Sequence, residues 1–146
     1  MAGRPGGCIV SRERSQRLIR HRQLLLTRAA FGGKGKKRSV ILRLLLDTGA
    51  SSTILSAEAV NRMGYDPGQP FRTERLVTAN GIIMAPVFRL SWFNCLGQTL
   101  RDFPVVAHTI PSGIPADGLL GMDFLSSCGA VISVADAGIR FKSPKS

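Results

Sequence analysis

The sequence is poor in several residues that carry chemistry. Its 146 residues include three cysteines and two histidines, and Phe, Trp and Tyr make up only 6%. Cys8, Cys95 and Cys128 form no CxxC or Cys/His pair with zinc-ligand spacing. Three scattered cysteines do not indicate a disulfide framework, so we expect free thiols in a reducing compartment, the cytoplasm. His21 and His108 stand near no recognisable Ser or Cys nucleophile, which argues against a His-dependent hydrolase.

Long apolar runs are also missing. No run reaches the length that a membrane-spanning segment requires, so we expect no transmembrane segment. The arginines near the N-terminus precede no uninterrupted apolar core with a small-residue cleavage site, and a secretory signal is therefore not indicated. An organelle presequence stays open as an alternative, because the arginine-rich segment contains a single acid, Glu13.

Acidic residues are scarce only in the front of the chain. Residues 1–43 contain twelve lysines and arginines and one acid, whereas residues 44–146 contain eight of each sign. The net charge of +11 therefore belongs to a segment and not to the whole fold. Such a segment can attract phosphates. Proteins that bind single-stranded nucleic acid also place aromatic residues among their basic residues, and this segment has no such pattern. Nucleic-acid binding through residues 1–43 is thus an alternative that the pattern does not favour.

The length is typical of one domain, with enough residues to bury a core. A Gly- and Pro-rich start followed by arginines predicts a basic flexible tail over residues 1–22. Apolar residues become frequent from residue 23 onward, and this change predicts a single domain over residues 23–142. A short C-terminal tail follows over residues 143–146.

Paired apolar runs around Gly-rich turns dominate that domain. They predict hairpins of 24–31 with 39–46, of 73–79 with 82–90, and of 130–134 with 139–141. Asn80-Gly81 is the strongest short hairpin signal in the chain. Two short helices are expected, one from an N-cap at Ser56 to Gly64 and one near Gly121–Leu125. Many strands and few helices indicate a mostly β barrel or sandwich.

Asp47 is the candidate for catalysis that the residues themselves suggest. It follows Leu44-Leu45-Leu46, the end of a strand that the pattern predicts to be buried. A carboxylate there needs donors for its ionised form. The hydroxyl of Thr48 and the backbone amides around Gly49 can supply them. A plain polar turn is the alternative reading of Asp-Thr-Gly by itself, because these are common loop residues.

Three motifs together resemble the retropepsin-like aspartic proteases. Residues 44–51, Leu-Leu-Leu-Asp-Thr-Gly-Ala-Ser, resemble the active-site motif of that family. Residues 78–81, Thr-Ala-Asn-Gly, resemble the flap. Residues 117–125, Asp-Gly-Leu-Leu-Gly-Met-Asp-Phe-Leu, resemble the hydrophobic-hydrophobic-glycine segment behind the catalytic loop, most closely in the bacterial single-domain members. The motifs occur in the family's order, and the resemblance covers residues 23 to 141.

The resemblance implies a fold and a set of site residues. The fold would be a closed, mostly β, antiparallel acid-protease barrel with one or two short helices and one lobe per chain. No metal or cofactor is implied. The implied residues are Asp47, Thr48 and Gly49 for catalysis, Ala79, Asn80 and Gly81 for the flap, and Gly118, Leu119, Leu120 and Gly121 for support of the active site.

A single Asp-Thr-Gly implies a homodimer. The family's reaction needs two carboxylates about 3 Å apart that share one proton. No other aspartate of this chain has the setting of Asp47, so the second carboxylate would come from a second copy across a two-fold axis. The substrate would be a polypeptide in extended conformation, with Ile82, Ile83 and Met84 as candidate apolar lining or as plain hairpin packing. The alternative function is a non-catalytic module that dimerises or binds peptides.

Overall fold

The computed structural model describes residues 8–9, 15–35, 39–78 and 81–142. Within these ranges the chain forms twelve strands and two short helices. The elements are β1 (Cys8–Ile9), β2 (Gln16–Arg17), β3 (Ile19–His21), β4 (Leu24–Phe31), β5 (Val40–Leu46), β6 (Ile54–Leu55), α1 (Ala57–Arg62), β7 (Arg72–Thr78), β8 (Gly81–Cys95), β9 (Gln98–Ala107), β10 (Gly118–Leu120), α2 (Met122–Ser127), β11 (Ala130–Ser133) and β12 (Gly138–Phe141).

Six of the strands pair into a ring. The order is β9-β6-β10-β5-β4-β8, and β8 pairs in turn with β9. The prediction of a mostly β fold with two short helices is confirmed. The expected antiparallel pairing holds for four of these pairs, whereas β10 with β5 and β6 with β9 are parallel. Parallel neighbours require a long connection, and the chain between residues 46 and 118 supplies it for β5 and β10.

Part of the expected N-terminal tail is built into the fold. Strand β3 pairs with β4, and β2 pairs with β12 in a second sheet of order β11-β12-β2. Leu18, which lies between β2 and β3, is buried, and its amide donates to the carbonyl of Ala137 at 2.8 Å. The tail predicted over residues 1–22 therefore does not extend through residues 16–21, because an apolar side chain and backbone pairing hold them in place. Residues 1–7 and 10–14 lie outside the described residues, as do residues 143–146 of the predicted C-terminal tail.

A chain of phenylalanines holds the core together. Phe31 and Phe93 stack with ring centroids 4.6 Å apart, and Phe93 also contacts Phe124 at 5.3 Å. Phe124 meets Phe141 edge to face at 6.1 Å. All four side chains are fully buried. They join β4, β8, α2 and β12, so the second sheet shares the core of the ring.

The cysteines differ from the expectation at one position. Cys95 is buried and free, and burial raises the pKa of its thiol. Cys128, the C-cap of α2, is disulfide-bonded, so the prediction of a free thiol is wrong there. Sequence spacing did not indicate this bond, because the fold decides which cysteines meet. Among the described residues, no helix is both long and apolar enough for a membrane crossing.

Candidate catalytic site

Asp47 lies in the first position after β5. Its amide donates to the carbonyl of Leu120 in β10 at 3.0 Å, which fixes the loop to the neighbouring strand. Its carboxylate oxygen Oδ1 accepts the amide of Gly49 at 2.9 Å. No other donor among the described residues binds this half-buried carboxylate. The side chain is therefore held by one oxygen and keeps acceptor capacity for a ligand.

Gly49 allows that close contact. A Cβ at this position would lie 3.2 Å from Oδ1 of Asp47, which is tighter than ordinary packing. The amide of Ala50 donates to the carbonyl of Asp47 at 3.1 Å and closes the turn. Small residues thus let the turn fold back on the carboxylate, as the sequence predicts.

The rest of the loop lies on the beginning of α2. The amide of Met122 donates to the carbonyl of Ala50 at 2.8 Å, and the amide of Asp123 donates to the carbonyl of Ser51 at 3.1 Å. These two bonds satisfy amides of the first helical turn, which have no partner within the helix. The loop after Asp47 is therefore anchored along its length.

Thr53 and Asp123 form a second anchor below the loop. The carboxylate of Asp123 accepts the amide of Thr53 at 2.9 Å, its hydroxyl at 2.7 Å, and the amide of Phe124 at 2.8 Å. The Thr53 hydroxyl in turn accepts the amide of Gly121 at 3.1 Å. Burial raises the pKa of Asp123, and the hydrogen bonds from Thr53 and Phe124 oppose that shift.

The glycine segment lies between β5 and β6. Leu119 of β10 pairs with Leu45 on one side and with Ile54 on the other. A Cβ on Gly118 would collide with the carbonyl oxygen of Ile54. A Cβ on Gly121 would lie 2.6 Å from the carbonyl carbon and oxygen of Ser52. The chain at Gly118 and at Gly121 thus runs close to the backbone of Ile54 and of Ser52, and glycine is required at both positions.

The predicted flap is a hairpin of β7 and β8. Gly81 pairs with Thr78 and has a φ of 119°, a conformation that favours glycine. Gly81 is thus a strand residue instead of the second turn residue, and Ala79 and Asn80 lie outside the described residues. Ile83 is half-buried and does not share the exposure of its neighbours. The exposed apolar side chains are Val77, Ile82 and Met84, at 84%, 57% and 60% exposure.

A cleft of about 440 Å³ opens beside Asp47 and Thr48. Thr48 is exposed and also lines an adjoining cleft of about 240 Å³ with Met122 and Ile132. The flap hairpin contributes none of its described residues to the larger cleft. The structure thus brings the Asp47 loop together with the glycine segment, whereas no described residue of the flap hairpin lines the cleft beside Asp47. The larger cleft is lined by Arg20, Gln23, Leu24, Leu25, Leu45, Leu46, Asp47, Thr48, Ile132 and Val134.

Sequence reasoning missed two features of this region. Arg20 falls within the tail predicted over residues 1–22, whereas in the structure it lies in β3, opposite Leu25 of β4. The contact between Thr53 and Asp123 joins residues 70 positions apart and has no local signal. Across the described ranges, no group of three or more His, Cys, Asp or Glu side chains could hold a metal ion.

Comparisons with known proteins agree with this geometry. A family model described as aspartyl protease matches residues 28–124. A retropepsin-like aspartic protease from Rickettsia conorii, known from a crystal structure, is similar in fold with a TM-score of 0.67. It shares 24% sequence identity, and the similarity covers 88% of this chain and 91% of that chain. No curated protein matches the chain.

Proposed function

The chain belongs to the aspartyl protease family, and from this premise we propose that it is an aspartic endopeptidase that acts as a homodimer. The observation that carries the proposal is the setting of Asp47. Its carboxylate stands at a cleft, is oriented by the amide of Gly49 and keeps acceptor capacity. The chain offers one such aspartate, so the reaction needs a second copy.

In the proposed mechanism, two copies of Asp47 face each other across a two-fold axis. Two carboxylates at hydrogen-bond distance cannot both be ionised, so the pair holds one proton. The ionised carboxylate accepts a proton from a water molecule, which attacks the peptide carbonyl carbon. The protonated carboxyl donates to the carbonyl oxygen and stabilises the charge that develops there. Thr48 is exposed beside Asp47 and would form a hydrogen bond that joins the loops of the two copies.

The hydrogen bonds that hold the loop after Asp47 support the catalytic role of Asp47, because a catalytic group that is already in position reacts faster. The bonds of Asp47 to Leu120 and of Ala50 to Met122 hold the loop from both ends. Gly121 lets the chain after β10 approach the loop at Ser52 closely, and Gly118 lets β10 approach β6 at Ile54. A carboxylate held in this way loses little free energy to reorganisation in the transition state.

The proposed substrate is a polypeptide in extended conformation. Extended peptides pair through their backbones with strands and present alternate side chains to pockets. The flap, with Ala79, Asn80 and Gly81 at its tip, would close over such a peptide. The exposed apolar side chains of that hairpin, Val77, Ile82 and Met84, then lose contact with water.

The test is the variant Asp47→Asn. Cleavage of a peptide library, read by mass spectrometry, should fall by about 10⁴-fold in kcat/KM, because the variant has no general base. The far-UV circular dichroism spectrum should not change. Asp66→Asn is the matched control, since Asp66 accepts the amide of Gly68 at 2.8 Å in the same Asp-x-Gly geometry. This control should cleave at the wild-type rate.

Persistent cleavage by Asp47→Asn would contradict the proposal.

Wild-type activity should also favour mildly acidic pH, because the dyad must hold one proton. Peptide binding by the wild-type protein without any product would support the non-catalytic binding module instead.

A further inference from the structure

We propose that Arg20 makes this protease prefer peptides with a glutamate or aspartate close to the scissile bond. This inference rests on the proposed protease function and names the class of peptide that the protease would cleave best. It concerns a residue of β3 that none of the sequence motifs includes.

The position of Arg20 is set by backbone pairing. Strand β3 pairs antiparallel with β4, and Arg20 lies opposite Leu25 in the register. Strand β4 pairs in turn with β5, whose end carries Asp47. Two successive ladders therefore bring Arg20 to the cleft that Asp47 and Thr48 line.

Arg20 is the cation of this cleft. Among the described residues that line it, only Arg20 and Asp47 are charged, and six of the others are Leu, Ile or Val. The hairpin formed by β3 and the start of β4 also carries the exposed Arg22 and contains no acid. A peptide that enters the cleft thus meets a positive charge against apolar walls, where water screens the attraction less than on an open surface.

The guanidinium of Arg20 is held in place. Its Nη2 donates to the carbonyl of Val134, which also lines the cleft. Within the described part of the chain, no carboxylate pairs with this side chain. A guanidinium has five N–H donors, so this bond leaves several for a ligand. A carboxylate is the group that best fits two of these donors at once.

A homodimer would present Arg20 twice. The two-fold axis relates the two copies, so an acidic side chain can be read on either side of the scissile bond. The preference is for charge and hydrogen bonding and not for size. Glutamine, which has the shape of glutamate without its charge, is therefore the correct comparison.

The experiment uses pairs of peptides that differ only by Glu or Gln at one position, moved through the four residues on each side of the scissile bond. At the preferred position, we expect the wild-type kcat/KM for Glu to exceed that for Gln about tenfold. Arg20→Gln should reduce this ratio to about one, while Arg20→Lys should keep part of it. Raising the salt concentration should lower the wild-type ratio. Arg28→Gln is the control, because Arg28 is exposed on β4 outside the cleft and its loss should not change the ratio.

A purely structural role of Arg20 would alter stability or the rates for both peptides but not their ratio. An unchanged ratio in Arg20→Gln, or no preference in the wild-type protein, overturns the proposal. Binding of the same peptides to the Asp47→Asn variant, measured by calorimetry, separates the two hypotheses. If the Glu peptide binds more tightly than the Gln peptide, and Arg20→Gln abolishes the difference, the preference for acidic peptides is supported. If the wild-type protein nevertheless cleaves neither peptide, only the proposed protease function fails.

Discussion

Asp47 and Asp123 show how one residue type takes two roles in the same region. Asp47 accepts one backbone amide and faces a cleft, whereas the carboxylate of Asp123 is occupied by donors from Thr53 and Phe124. A carboxylate with several donors is a structural anchor, because little of its acceptor capacity remains. The number of donors, and not the residue type, separates the catalytic candidate from the anchor.

Thr53→Val tests the anchor at the residue scale. The hydroxyl of Thr53 is fully buried. Its loss removes one of the three donors to the carboxylate of Asp123 and removes the acceptor of the Gly121 amide. We expect the free energy of unfolding, measured with urea, to fall by about 2–3 kcal/mol. Thr99→Val is the control, because the bond that Thr99 accepts from Asn94 is exposed, and it should cost less than about 1 kcal/mol. Equal losses in the two variants would contradict the anchor.

The local chemistry of single residues was predictable where it depended on neighbours in sequence. The N-cap at Ser56 is confirmed, since its hydroxyl accepts the amide of Ala59 at 3.1 Å. The approach of Gly49 to Asp47 follows from a turn of small residues. The roles of Thr53 and Arg20 were not predictable, because their partners, Asp123 and Val134, are 70 and 114 positions away.

Among the elements, β10 and its exit decide how the loop after Asp47 is held. The strand runs parallel to β5 and antiparallel to β6. Gly118 begins the strand and Gly121 follows it, and neither has room for a Cβ beside the backbone of Ile54 or Ser52. The two glycines therefore set how closely the neighbouring segments can approach this part of the chain.

Gly121→Ala tests this at the element scale. Its Cβ would lie 2.6 Å from backbone atoms of Ser52, which cannot move without the catalytic loop. We expect the free energy of unfolding to fall by about 2–3 kcal/mol, measured by urea or thermal unfolding. Gly68→Ala is matched in chemistry but meets only Asp66 Oδ1 at 3.4 Å, and its effect should stay within about 1 kcal/mol. A mild effect of Gly121→Ala would show that the segments are not packed this closely.

Most hairpins were predictable as elements, because alternating apolar runs and Gly-rich turns are local signals. Strand β4 has the predicted bounds, and β5 begins one residue later than predicted. Strands β2 and β3 were not predicted. They are two and three residues long and carry arginines, and only their pairing with β12 and β4 makes them strands.

The proposed homodimer would complete the active site of the whole molecule. The chain offers one Asp-Thr-Gly in one lobe, so a complete dyad depends on a second copy. Thr48, Met122 and Ile132 line a cleft next to Asp47, and Met122 is an exposed apolar side chain of this cleft. This surface, exposed in the single chain, suits contact with a second copy.

Sedimentation tests the dimer. We expect a species of twice the 15.7 kDa of the chain at concentrations where peptides are cleaved. Activity per chain should fall on dilution as the species returns to one chain, because a single chain holds half of the dyad. A monomer whose activity per chain is independent of concentration would contradict the homodimer. Asp47→Asn should sediment as the wild-type protein does.

The sequence by itself determined the mostly β character, the position of Asp47 at a strand end and the split between a basic front and a neutral remainder. These properties depend on residues close together in the chain. Only the tertiary structure decided the parallel pairing of β5 with β10, the Thr53–Asp123 anchor, the disulfide state of Cys128 and the place of Arg20 at the cleft. Each of these is a contact between distant segments, and such a contact exists only when the whole ring of strands has brought the segments together.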